Sequence, residues 1–352
     1  PYNADGQGRN DSIIYKDHSG EIYNLVFRNT HTQDHYVSAL GGNDKGKYFA
    51  SFDYYNEDGI IVGSSYKRYT GTINGSYKIR PNVEVVTGVN LSTAAQYGIA
   101  TSDANVIYRS MALWPTFNPW LDSAHTQPNP GVSVSDGNPL YWLQHMKRTY
   151  TNNKVTANAS IKWDIVKDLY VKATGSIYFN DIANQSFQYP TSNYTDLFAG
   201  KLTSYTRDAY SSDTKAFQQQ YNATINYNKT FGGLHDVTVM AGTEYYGLKN
   251  YALYVHGENA PTDDITTANA STLFPADGSN GSTQTQFAIV STFGRLQYDY
   301  DQRFLLTAVF RSDAVSSLAP KNRVGYFPGF SAGWNIQNEQ FYKNTKLHDV
   351  IT

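Results

Sequence analysis

The chain has 352 residues, a formal net charge of −2 and no cysteine. That balance argues against a nucleic-acid surface, which is normally strongly basic, and the missing thiols exclude a disulfide framework. No apolar run approaches the roughly 18 residues of a membrane-spanning helix. Charged residues make up only 16%, against about 25% in an ordinary soluble domain. Tyrosine is abundant, at 30 residues.

Residues 1–35 read as a segment leading into the first strand, and 36–352 as a succession of strands. Tight connections fall at 41–47, 80–82, 166–168, 231–235 and 300–302, and longer polar ones at 58–65, 98–149, 181–213, 256–285 and 314–325. Short and long connections alternate, as in an up-and-down transmembrane barrel with short periplasmic turns and long extracellular loops. The strands have period two. In 154–165, Val155, Ala157, Ala159, Ile161, Trp163 and Ile165 alternate with Thr156, Asn158, Ser160, Lys162 and Asp164. The stretches 169–180 and 217–228 repeat the pattern. Successive side chains on a strand point to opposite faces, so each strand has one greasy and one wet side. Alternation alone does not decide which side is outside. The abundant tyrosine favours a membrane, because its apolar ring and wet hydroxyl suit the bilayer interface. The expected fold is all-β, part of a large antiparallel up-and-down transmembrane barrel. The chain opens at Pro1 and stops at Ile351-Thr352, inside what reads as another strand, so part of a longer polypeptide is expected.

Several local patterns invite other readings. Gly41-Gly42-Asn43-Asp44-Lys45-Gly46-Lys47 imitates a phosphate loop, but Tyr48 stands where Ser or Thr should follow, and a strand follows instead of a helix. It reads as a polar turn. His31 and His35 have helical metal-pair spacing without further ligands, and Asn3-Ala4-Asp5-Gly6 lacks the closing Glu of a calcium loop. No metal or cofactor is expected. No spacing identifies a Ser-His-Asp set or a carboxylate pair, so no enzyme is expected either.

The stretch 111–142 concentrates Trp114, Phe117, Trp120, Tyr141 and Trp142 among five prolines. Such aromatics fit contact with a substrate or a partner protein, or a small loop core of their own. Arg295, Arg303, Arg311 and Asp313 fall on one parity of their segments and are expected in the lumen or at its rims. A polar ladder or a substrate role would place them there.

The C-terminal third carries a resemblance. Phe293-Gly294-Arg295-Leu296-Gln297-Tyr298-Asp299-Tyr300, Arg303-Phe304-Leu305-Leu306-Thr307-Ala308, Arg311-Ser312-Asp313, Ala319-Pro320-Lys321-Asn322-Arg323-Val324-Gly325-Tyr326-Phe327-Pro328 and Ser331-Ala332-Gly333-Trp334 follow one another. Upstream stand Gly41-Gly42, Tyr48-Phe49-Ala50-Ser51, Tyr54-Tyr55-Asn56-Glu57-Asp58-Gly59-Ile60, Tyr66-Lys67-Arg68-Tyr69 and Val89-Asn90-Leu91-Ser92. Together they resemble the SusC/RagA family of TonB-dependent outer-membrane transporters of Bacteroidetes, the upstream set being similar to the first strands after the plug. Val324 and residues 315–318 depart from the family's more polar or aromatic choices. The resemblance implies a barrel of about 22 strands around a plug, with plug and TonB box absent from this chain. It implies location in outer-membrane lipid, a SusD-like lipoprotein lid, coupling to the TonB complex, and import of an oligosaccharide or peptide. A structural or adhesive barrel, or a passive porin, are the competing functions.

Overall fold

The computed structural model describes residues 16–98, 106–130, 138–190, 194–196, 201–203 and 207–343. Among them eleven strands form one sheet, each antiparallel to its neighbours. They are β1 (Thr32–Gly42), β2 (Gly46–Asp58), β3 (Ser65–Arg80), β4 (Val83–Tyr97), β5 (Met146–Val166) and β6 (Leu169–Gln188), then β9 (Asp208–Phe231), β10 (His235–Gly257), β11 (Gly281–Tyr300), β12 (Phe304–Val315) and β13 (Val324–Trp334). The short pair β7 (Tyr194–Asp196) and β8 (Lys201–Thr203) forms a separate hairpin between β6 and β9. No described helix is long and apolar enough to cross a membrane.

Every strand pairs with the next one in the chain, skipping only that hairpin, so alternate connections lie at opposite ends of the sheet. The tight turns collect at one end and the long connections at the other. Local chemistry explains the tight set. The side-chain oxygen of Asn43 accepts from the N–H groups of Lys45 and Gly46 at 2.9 and 3.0 Å, closing the turn that imitated a phosphate loop. Gly232 and Gly233 take φ of 59° and 73°, which only glycine adopts without cost.

Register aligns one parity across the whole sheet, because residues directly opposite one another share a face. Val37, Phe52, Gly71 and Leu91 form one row of partners. Trp163, Val171 and Ile225 form another, and Val239, Leu296 and Ala308 a third. This face is apolar, and Ile73 is 66% exposed, Trp163 48% and Phe330 75%. The opposite face carries Asp53, Arg68, Asn90, Asn158, Gln220, Glu244, Ser291 and Arg311. A sheet that turns hydrocarbon outward and keeps its polar groups inside is built for lipid.

The third and fourth long connections are shorter than the sequence pattern suggests. β6 runs on to Gln188 and β9 begins at Asp208, leaving 189–207 as the connection where 181–213 was expected. Likewise 258–280 replaces 256–285. The reason is physical. β9 has 24 residues, whereas roughly 9–11 cross the hydrocarbon. Beyond the bilayer neither face needs to be apolar, so the backbone ladder continues without a period-two signal. His35 lies within β1 and stacks on Tyr54 at 6.1 Å, so no helix brings His31 beside it. The calcium-like stretch 3–6 and the strand expected at 351–352 lie outside the described residues.

Candidate functional site: the long-loop cap and the polar inner wall

At the long-loop end, three short helices, Ser19–Val26, Val106–Ala112 and Pro139–His145, close over a core of their own. Ile22, Val26, Ile61, Val106, Phe117 and Trp142 are buried there, with Phe27, Leu113, Leu143 and Met146 against them. The local sequence dictates the joints. Fully buried Asn138 caps the third helix by accepting from the Leu140 N–H at 3.0 Å, and its amide donates to the Pro119 carbonyl at 3.0 Å. Pro139 occupies the first turn, where no N–H is needed. Val62 N–H donates to the Val26 carbonyl at 2.9 Å, and the Arg28 guanidinium donates to the carbonyls of Gly59 and Ser64, tying the first helix to the β2–β3 loop. The His18 ring lies 2.7 Å from the Glu21 carboxylate, and this hydrogen bond holds the Glu21 carboxyl below its usual range.

This arrangement sorts the five aromatics of 111–142. Phe117 and Trp142 are core residues. Tyr141 is buried and stacks on His145 at 4.0 Å. Trp120 is buried, stacks on His125 at 5.2 Å and forms an isolated bridge with Pro128. These four are taken up in the loop's own packing, the loop-core reading that the sequence left open beside substrate or partner contact. A loop this long must bury apolar side chains of its own to stay ordered. Trp114 alone of the five is exposed, at 51%. The helix Val106–Ala112 adds exposed Tyr108 and Met111 while burying Val106 and Ser110. Sequence reasoning passed over Tyr108 and Met111; the helical spacing of Val106 and Ser110 was the available signal.

On the inner wall, the Arg311 Nε donates to Asp313 at 2.7 Å and its Nη2 to the Ser291 hydroxyl at 2.9 Å, with Glu244 at 3.4 Å. Glu244 also accepts from the Gln220 amide at 2.9 Å. Ser291 is 1% exposed, so the cluster is packed rather than dangling. Arg303 lies at the tight-turn end, where Glu339 accepts two hydrogen bonds from it at 2.8 and 2.7 Å. Arg295 is exposed on the Arg311 face with no ion pair among the described residues. Glu244, Ser291 and Glu339 complete these groups, and sequence spacing had not singled them out because they come from other strands and turns. The wall offers matched charges and hydrogen-bonding side chains on one face of the sheet.

No family model matches the chain. TonB-dependent receptor P3 of Formosa agariphila is 24% identical over 318 residues, covering 87% of this chain and 30% of the relative. TonB-dependent receptor SusC of Bacteroides thetaiotaomicron is 24% identical over 351 residues, covering 92% and 33%. The RagAB peptide transporter structure superposes with a TM-score of 0.74 at 16% identity, covering 94% of this chain and 36% of that one. The chain is similar to SusC and, in fold, to the RagAB transporter, in line with the resemblance its motifs carry. It spans about a third of the length of the curated relatives it matches. Like these outer-membrane receptors, it is a barrel segment that lies in the outer membrane, with its apolar face toward lipid.

Proposed function

We propose that this segment forms part of the wall of a TonB-driven importer for an oligomeric nutrient, a glycan or a peptide, working beneath a SusD-like surface lipoprotein. The observation that carries this reading is the eleven-stranded sheet itself, greasy outside and hydrogen-bonded inside, matching the RagAB transporter over 94% of the chain. A lumen lined by Gln220, Glu244, Ser291 and Arg311 suits a polar polymer that must slide rather than stick, because their own hydrogen bonds leave few unsatisfied groups to trap it. The long-loop cap presents Trp114, Tyr108 and Met111 outward, and exposed aromatic and Met side chains are good anchors for a lid. TonB coupling belongs to a plug expected elsewhere in the polypeptide.

The test is uptake of labelled oligosaccharides and peptides by cells carrying the full-length gene, with and without TonB. Uptake that depends on both the gene and TonB is expected. Uptake that persists without TonB would make the barrel a passive porin, and no gene-dependent uptake of any polymer would leave it a structural component.

A further inference from the structure

At the long-loop end of β9 and β10, Asp208, His256 and Glu258 bring one ligand atom each within 4.8 Å of one another. The register explains how. Ala209 is opposite Gly257 and Tyr210 opposite His256, so continuing the pairing by one residue sets Asp208 across from Glu258, on the face that His256 shares. The other face is locked. Ala209 is buried against Phe187, Ala260 and Ala268, and a Cβ at Gly257 would come within 2.4 Å of the Ser271 hydroxyl. The backbone carrying the three groups therefore has little room to move.

Electrostatics gives this placement a cost. Two carboxylates directly opposite on paired strands repel. Asp277 accepts from the Ser279 N–H at 2.9 Å, on the loop that also orients His256. The His256 ring is oriented from behind, its Nδ1 lying 3.3 Å from the Ser279 hydroxyl while its Nε2 faces Glu258 at 4.0 Å. An outer-shell hydrogen bond on one imidazole nitrogen, leaving the other for a cation, is the usual arrangement around a ligating histidine. Gln188 stands opposite Asp208 on β6, and its amide nitrogen position is buried without a partner. Amide N and O are interchangeable in assignment, so this group can turn an oxygen toward the same place.

We propose that Asp208, His256 and Glu258 form a binding site for a divalent first-row transition cation of the zinc class, which staples the 258–280 loop to the barrel. One imidazole with two carboxylates suits such an ion and disfavours calcium and magnesium, which prefer oxygen alone. Ligand distances near 2.0–2.2 Å require the three side chains to draw in by roughly 1 Å, a rotamer adjustment. Sequence spacing could not show the set, because Asp208 and His256 come from different strands.

The test uses the full-length protein in detergent, stripped with a chelator and titrated with zinc sulfate. Roughly one zinc per chain is expected, with X-ray absorption showing one imidazole and oxygen ligands. His256→Ala should abolish that uptake, and Asp208→Asn with Glu258→Gln should weaken it by more than about tenfold. Ser279→Ala should weaken it less. Heat-modifiability on gels checks that each variant still forms the barrel, and the conservative double variant keeps the test valid should His256→Ala fail to fold. Zinc uptake unchanged in the double variant, absorption without an imidazole, or calcium outcompeting zinc would each overturn the proposal.

Discussion

The cap and the strand band are built from similar side chains used in opposite ways. In the cap, Trp142 and Phe117 are buried by protein and meet Val26, Val106 and Ile61. In the band, Trp163 and Ile161 are nearly half exposed and meet nothing apolar but their sheet neighbours. The cap thus stands on packing, like a small globular core, whereas the band stands on its backbone ladder and on a bilayer around it. Removing volume should damage the first, and adding charge should damage the second.

The largest effect is expected from Trp142→Ala, which should cost the cap about 3–5 kcal/mol. Hydrogen exchange should show the three cap helices opening while β5 and β6 stay protected. Protection lost equally in the strands would mean the two regions are one cooperative unit. Next, Ala159→Arg on the apolar face should cost about 2–4 kcal/mol in a bilayer. Ser160→Arg, one residue away on the polar face, should cost far less. Equal costs, measured by denaturant unfolding in lipid vesicles, would erase the distinction between the faces.

A smaller effect is expected from Trp114→Ala. It should leave cap stability within about 0.5 kcal/mol yet lower affinity for a lid lipoprotein by about tenfold. Unchanged binding would remove Trp114 as an anchor. Smallest is an acid effect confined to the cap. Asp122 accepts from the N–H of Gln127 at 2.8 Å and from the Thr126 hydroxyl at 2.7 Å, and these bonds hold its carboxyl below the ordinary 3.8. A lowered carboxyl stabilises the fold fully above its unfolded value and loses that contribution as pH falls through the folded value. The 122–127 loop should therefore exchange amides faster only below about pH 3.8, and Asp122→Asn should show the faster exchange already at neutral pH. Fast exchange in the parent protein at pH 5 would contradict this.

How much was legible in the sequence follows the same division. The parity of Val155 to Ile165 and the turn residues at Asn43 and Gly232 exposed the sheet, its connectivity and its two faces, because lipid on one side imposes period two. The upper parts of β6 and β9 were hidden, since no solvent contrast marks Asp181 to Gln188. The match to the first strands after a plug also needs adjusting. The Ser19–Val26 helix sits in the long-loop cap, so β1 descends from that end, whereas a strand fed from the short-turn end would ascend. The inner groups were half legible: Arg311 and Asp313 are two apart on one strand, but Glu244 and Ser291 reach them only through register. For the cap aromatics, composition alone could not separate buried Trp120 from exposed Trp114, because both lie in irregular chain whose packing is tertiary.

The central claim is that one parity of the strands faces lipid. Nitroxide labels placed singly at 157 to 162 in the full-length protein, reconstituted in vesicles, test it most directly. Collision with oxygen, which dissolves in the hydrocarbon, should peak at Ala157, Ala159 and Ile161. Collision with a water-soluble nickel chelate should peak at Asn158, Ser160 and Lys162. Profiles in phase with each other, or with the two sets exchanged, would contradict the account.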